Sequence, residues 1–249
     1  MNALPKQNLN IGNLLKDALG YWRRTLLYQV MFSLVFFSVL FTSLFFFGTR
    51  LGMPELYSSA VEQYKIGFSE YMKEVQRINQ TEAARMFFWV VTLTLVFLYP
   101  LNLGLFKIYR KLDLKQPVEL SDLFAGYAGV NFFIYCGFYL FWVMVYNLSF
   151  ATIFLAVFWV FATLFCAPLM FFQNKRIFEG IQLSVKALRM YPGEIIICVM
   201  FAVFLRYAGI LSVLGAVFFF PIWNAVIYIL YKNIFSEQAQ KLYKDSSAN

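Results

Sequence analysis

The 249-residue chain has no histidine, only three cysteines, and few charges: 14% of its residues are Asp, Glu, Lys or Arg. Each shortage excludes something. Without imidazole there is no His-ligated haem, none of the usual His-bound zinc or iron sites, and no Ser-His or Cys-His catalysis. Most membrane oxygenases and desaturases fall with them, because their iron needs imidazole. Cys136, Cys166 and Cys198 all lie inside apolar blocks, with no C-x-x-C pair. That is the setting of a buried thiol acting as a small hydrophobe, not of a metal or redox pair. No Gly-rich phosphate loop appears, and no nucleophile has a base beside it. No Asp, Glu or Lys falls near the centre of an apolar block, so proton-coupled transport lacks its usual group. The expectation is therefore a chain with no enzymatic activity, no metal and no cofactor.

What is present is apolar: 61% of the residues are hydrophobic and 21% aromatic. Soluble domains are about 45–50% apolar and about 25% charged. The apolar residues gather into blocks about as long as a helix needs to cross the bilayer core. The reading is all-α: a polytopic integral membrane protein with six transmembrane helices in one membrane domain. The spans are expected at about 25–48, 87–106, 131–147, 150–172, 194–211 and 213–232, with a tail at 233–249. The first block has no small-residue cleavage pattern after it, so it reads as a span and not a signal peptide.

The basic residues orient these spans. Lys6, Lys16, Arg23 and Arg24 precede the first. Lys107, Arg110, Lys111 and Lys115 follow the second. Lys175, Arg176, Lys186 and Arg189 follow the fourth, and Lys232, Lys241 and Lys244 the sixth. The other side holds Arg50, Lys65, Lys73, Arg77, Arg85 and Arg206. Fifteen cations against six put both termini in the cytoplasm. That face nets +7 and the other +1, so the overall +8 needs no nucleic acid to explain it. Anionic lipid headgroups on the cytoplasmic side are the expected partners of Arg23, Arg24, Lys107, Arg110, Lys111, Lys175, Arg176, Lys186 and Arg189. Arg206, twelve residues after Glu194 and beside Tyr207, is expected to anchor in the outer leaflet, with a substrate or lipid contact as the other option.

A plan recurs three times. FLYPLNLGLFK (97–107), FCAPLMFFQNK (165–175) and FFFPIWNAVIYILYK (218–232) each carry an aromatic, a proline, an apolar residue and an exit lysine. Pro100, Pro168 and Pro221 are thus expected to kink the return helix of three pseudo-repeated hairpins. Asn102 and Asn224 follow two of the prolines; they can bond freed carbonyls or line a polar path between spans. Before each hairpin stands a short segment: LLKDALGYWRR (14–24), SDLFAGYAGVN (121–131) and EGIQLSVKALRMYPG (179–193). These read as interfacial amphipathic helices. Leu14, Leu15, Ala18, Leu19 and Trp22 share one face of the first. Ile177, Ile181, Val185 and Leu188 share one face of the third, opposite Glu179, Gln182, Lys186 and Arg189. Such helices can lie among acyl chains or pack on the protein's own helix ends. The outer loop, about 49–86, breaks the plan: Tyr64, Phe68, Tyr71, Val75 and Ile78 recur at helical spacing. One or two amphipathic helices are expected there, as a docking surface or a connector.

With QPVELSDLFAGY (116–127), LFCAPLMFFQNKRIFEGIQLSVKALR (164–189) and PIWNAVIYILYKNIF (221–235), this plan resembles bacterial six-helix inner-membrane proteins of the YciC-like group. It is similar also to the membrane part of some glycerophosphodiester phosphodiesterases, whose catalytic domain this chain lacks. The resemblance implies the six-helix fold and transfers no catalytic residue. The expected function is a scaffold or accessory subunit of a cell-envelope membrane complex, with a membrane-protein partner. The alternative is a transporter or binder of a lipid or small hydrophobic molecule.

Overall fold

A computed structural model describes residues 9–247, except the side chains of Val213 and of residues 236–247. Lys6 lies outside the described residues, as do the side chains of Lys241 and Lys244. The described residues are helical with no strand, as a chain surrounded by lipid requires: each backbone donor and acceptor must be met within its own segment. Six stretches are long and apolar enough to cross a membrane: Leu26–Arg50, Glu82–Asp113, Asn131–Ser149, Ile153–Gln173, Pro192–Ile210 and Leu214–Phe235. The protein is an all-α polytopic membrane protein.

The helices fall into two compact units, one formed by the residues up to 34 together with those from 99 onward, the other by residues 35–98. In the first unit α1 (Ile11–Arg24) is capped by Asn10, whose side chain accepts from the Asn13 N–H. A joint at Thr25 leads into α2 (Leu26–Arg50). The return helix of each hairpin is broken. The first runs as α5 (Glu82–Leu98) and α6 (Leu101–Asp113), split at Tyr99-Pro100. The middle hairpin is α7 (Asn131–Ser149) followed by α8 (Ile153–Ala162) and α9 (Cys166–Gln173). The last is α11 (Pro192–Ile210) followed by α12 (Val213–Phe219) and α13 (Ile222–Ser247). The 233–249 tail is no separate element: α13 continues through it to Ser247. Its first turns form the axis of the unit, with Ile222, Ala225, Tyr228 and Leu230 almost wholly buried.

Two of the three inter-hairpin segments are α-helices, α1 and α10 (Ile177–Met190). The middle one is not. Residues 120–127 form a 3-10 helix, Leu120–Tyr127, with Leu123 and Asp122 buried in the protein. Its packing is too close for a surface helix: a Cβ on Gly104 of α6 would lie 1.9 Å from the Leu123 carbonyl oxygen. On α10 the most buried face is Gly180, Ser184 and Ala187, while the expected Ile177, Ile181, Val185 and Leu188 are half-buried. Small residues allow helix backbones to approach, which outweighs the larger apolar stripe here.

In the second unit, α3 (Met53–Tyr64) and α4 (Phe68–Asn79) form a helical hairpin on the extramembrane loop. Gly52, at φ +65°, makes the turn out of α2. Met53, Ala60, Ile78 and Ala84 form a small core, joined by Leu56, Tyr71, Val75 and Phe87. Of the expected stripe, Ile78, Val75 and Tyr71 pack inward, while Tyr64 and Phe68 stay exposed. Ser43 on α2 and Thr94 on α5 share a hydrogen bond of 2.8 Å.

Candidate functional site

The three proline breaks are where the backbone has spare hydrogen-bonding groups, and each is met by an inter-hairpin segment. At the first, the 3-10 helix docks: a Cβ on Gly126 would lie 2.3 Å from the Pro100 carbonyl oxygen. At the second, the Phe165 N–H, three residues before Pro168, donates to Ser184 Oγ of α10 (3.2 Å). At the third, the carbonyl of Phe218, three residues before Pro221, accepts from Trp22 Nε1 of α1 (2.9 Å). Trp22 also stacks on Phe219 at 5.2 Å. Each segment thus covers the break of the hairpin before it, and α1, which has no hairpin before it, covers the last. The repeats close into a ring.

Where α1, α6 and α13 meet, Asp113 gathers three groups. Its Oδ1 accepts from Lys232 Nζ (2.7 Å) and from the Tyr21 hydroxyl, and its Oδ2 accepts from the Tyr228 hydroxyl (2.6 Å). Lys232 Nζ also donates to Tyr21 Oη (3.0 Å). Tyr109 stands edge-on to Tyr21 at 5.9 Å. Burial, reinforced by the bond to Asp113, raises the Tyr21 hydroxyl above the ordinary tyrosine range. Such a set could pass a proton internally, but every member bonds another member, the arrangement of a clamp.

A second carboxylate, Asp122 of the 3-10 helix, is 2% exposed. It binds Lys107 Nζ (2.9 Å) and Lys111 Nζ (2.7 Å) and accepts the Glu119 N–H (2.9 Å). Burial by itself would raise its pKa; the bonds from Lys111, Glu119 and Lys107 outweigh that and hold it at about 2. Two cations expected on lipid headgroups thus have a partner inside the chain. Arg23, Arg24, Arg110, Arg176 and Arg189 are exposed, while Lys175 and Lys186 are half-buried. The Arg176 N–H meets the Glu179 carboxylate at the start of α10 (3.4 Å). Arg206, four residues before the end of α11, places its guanidinium over the Phe220 ring at 4.1 Å, a cation–π contact.

Asn102 and Asn224 meet each other beside the first break. Asn102 Nδ2 donates to the Tyr99 carbonyl at the break (2.8 Å), and Asn224 Nδ2 donates across to Asn102 Oδ1 (3.0 Å). One polar file escapes a reading of charged residues. Thr25 at the joint and Gln29 and Ser33 on α2, spaced four apart, are all buried. Gln29 Nε2 donates to Tyr109 Oη (2.6 Å) and Thr25 Oγ1 (3.1 Å). Gln29 Oε1 and Ser33 Oγ have no protein partner. The i, i+4, i+8 spacing was the available signal.

Among the described residues, no group of three or more His, Cys, Asp or Glu could hold a metal ion. Cys166 and Cys198 are buried, Cys136 is half-buried, and no disulfide joins them. No family model, curated protein or solved structure matches this chain.

Proposed function

We propose that the protein is a non-enzymatic scaffold or accessory subunit of a membrane complex, held in a bacterial inner membrane with both termini in the cytoplasm. The observation that supports this is the sealing of the three breaks. Transporters with broken helices leave the freed backbone groups facing substrate and ions. Here Ser184 and Trp22 take those groups at the second and third breaks, and the 3-10 helix packs against the first. Half-buried Asp113 and buried Asp122 are consumed in the same way, by Lys232 and by Lys107 with Lys111. What remains available is apolar surface, including Phe133, Phe154, Met200 and Phe204 on the spans. Purification in mild detergent followed by mass spectrometry is expected to find a stoichiometric membrane-protein partner. A chain that purifies alone and moves a ligand overturns the reading.

Orientation belongs to the same proposal. Replacing Lys175, Arg176, Lys186 and Arg189 with Gln is expected to weaken it, read by cysteine accessibility from each side; unchanged topology counts against it. Kinship with the YciC-like group, which rests on the quoted motifs, is part of the same proposal. The second reading, a binder or transporter of a lipid or small hydrophobic molecule, draws on the Asn102–Asn224 pair between α6 and α13. It requires that replacing both with Leu abolish transfer of a labelled lipid between vesicles.

A further inference from the structure

Outside the membrane spans, the α3–α4 hairpin leaves a run of large apolar side chains uncovered. Ile66 is 72% exposed, Phe68 68%, Tyr64 61% and Val61 60%; Tyr57 and Met72 are exposed as well. They cluster at the tip, around the Lys65-Ile66-Gly67 turn. The hairpin has its own core, so these residues are not needed to hold it together. A patch of this kind marks an interaction surface.

We infer that the tip of the α3–α4 hairpin dips into the headgroup region of the leaflet on its side of the membrane. Three observations select lipid over protein. The first is tether length. Only Leu51 and Gly52 separate α2 from α3, and only Gln80 and Thr81 separate α4 from α5. The twelve residues of α3 rise about 18 Å, which bounds how far the tip can stand from the span ends. The second is continuity. Phe45 and Phe46 near the end of α2, and Met86, Phe88 and Trp89 near the start of α5, are exposed on the span ends that carry the hairpin, so exposed apolar side chains flank both of its tethers. The third is charge. On α4, Glu70 pairs with Lys73 (2.6 Å) and Glu74 with Arg77 (2.5 Å), so neither pair offers an unmet charge to a protein. Neither Lys65 nor exposed Glu62 three residues before it forms an ion pair among the described residues, and Lys65 is the one at the turn, between Tyr64 and Ile66. Aromatic and aliphatic side chains around a free cation suit acyl chains and phosphate together.

The test uses the full chain in nanodiscs of phosphatidylethanolamine and phosphatidylglycerol, in a background with Cys136, Cys166 and Cys198 replaced. A nitroxide is attached to Ile66→Cys and, as the aqueous control, to Gln116→Cys in an exposed loop. Power saturation is read with oxygen and with a water-soluble nickel chelate. Residue 66 is expected to favour oxygen over the chelate several-fold more than residue 116. With the label moved to Met72→Cys, adding Ile66→Asp and Phe68→Asp is expected to abolish the preference. Chelate access at 66 equal to that at 116 overturns the inference. So does protection from both reagents, which would place a protein on the tip.

Discussion

The two units treat polar and apolar groups in opposite ways. In the first, formed by the residues up to 34 and from 99 onward, even carboxylates are drawn inside and clamped: Asp113 by Tyr21, Tyr228 and Lys232, and Asp122 by Lys107 and Lys111. In the second, residues 35–98, the ion pairs lie outside, while Ile66 and Phe68 stand in the open. Yet Arg77 and Ser59 still hold Glu74 at about 2, by direct bonds at the surface. A depressed carboxylate therefore does not tell a clamp from a surface pair. What separates them is how much of the structure depends on the pair, because exposed pairs are worth little and breaking a buried one is costly.

The contrast breaks most sharply at glycine. Gly104→Ala forces a methyl against the Leu123 carbonyl and is expected to cost about 3 kcal/mol or more. Gly67→Ala in the hairpin turn meets nothing within 4 Å and is expected to stay within about 0.5 kcal/mol. Thermal unfolding in detergent checks both; equal losses would erase the difference between the units.

Next comes Asp113→Ala, which strands Lys232 and two phenols and is expected to cost about 2–4 kcal/mol. Its counterpart Glu70→Ala breaks only the pair with Lys73 and is expected to change stability by at most about 0.5 kcal/mol. A double-mutant cycle with Lys232→Met isolates the pair; near-zero coupling there would remove the clamp.

Acid sharpens the comparison further. Asp122 is depressed in the folded protein, so its stabilisation is complete above the unfolded carboxylate value near 4 and is lost as pH falls toward about 2. Over that range the loss is expected to approach about 2 kcal/mol. Unfolding temperature should fall with acid in the parent and fall less steeply in Asp122→Asn. Parallel curves would show that Asp122 is not the group responsible.

The smallest effect has the opposite sign. Ser33 Oγ is buried without a protein partner, so Ser33→Ala is expected to stabilise by about 1 kcal/mol. A loss of stability instead would mean that a bridging water satisfies the hydroxyl.

Much of this was legible in the sequence, because lipid leaves few options. Apolar blocks gave six spans, and the recurring proline gave the site of each break: Pro100 caps α6, Pro168 sits in the first turn of α9, and Pro221 lies just before α13. A proline is tolerated at those positions and not within a helix, so its meaning is local. The partners of the breaks were not legible. Trp22 and Phe218 are 196 residues apart, and no periodicity ties them. Asp122 likewise fell in a segment read as an interfacial helix, since pattern does not reveal that a 3-10 helix folds onto Gly104 there. Gln29 and Ser33 were passed over because they are neutral, although four-residue spacing put them with Thr25 on one face.

The closed ring also has a consequence in time. Trp22 and Tyr21 are made long before their partners Phe218 and Lys232. The 211 residues between Tyr21 and Lys232 take about 10–40 s to synthesise at bacterial and eukaryotic elongation rates. Through that interval the first hairpin can be in the membrane, but Asp113 lacks its lysine and the Trp22 indole lacks its carbonyl. The bundle therefore locks only once α12 and α13 have been made, and a chain released before then carries an open seam at α1.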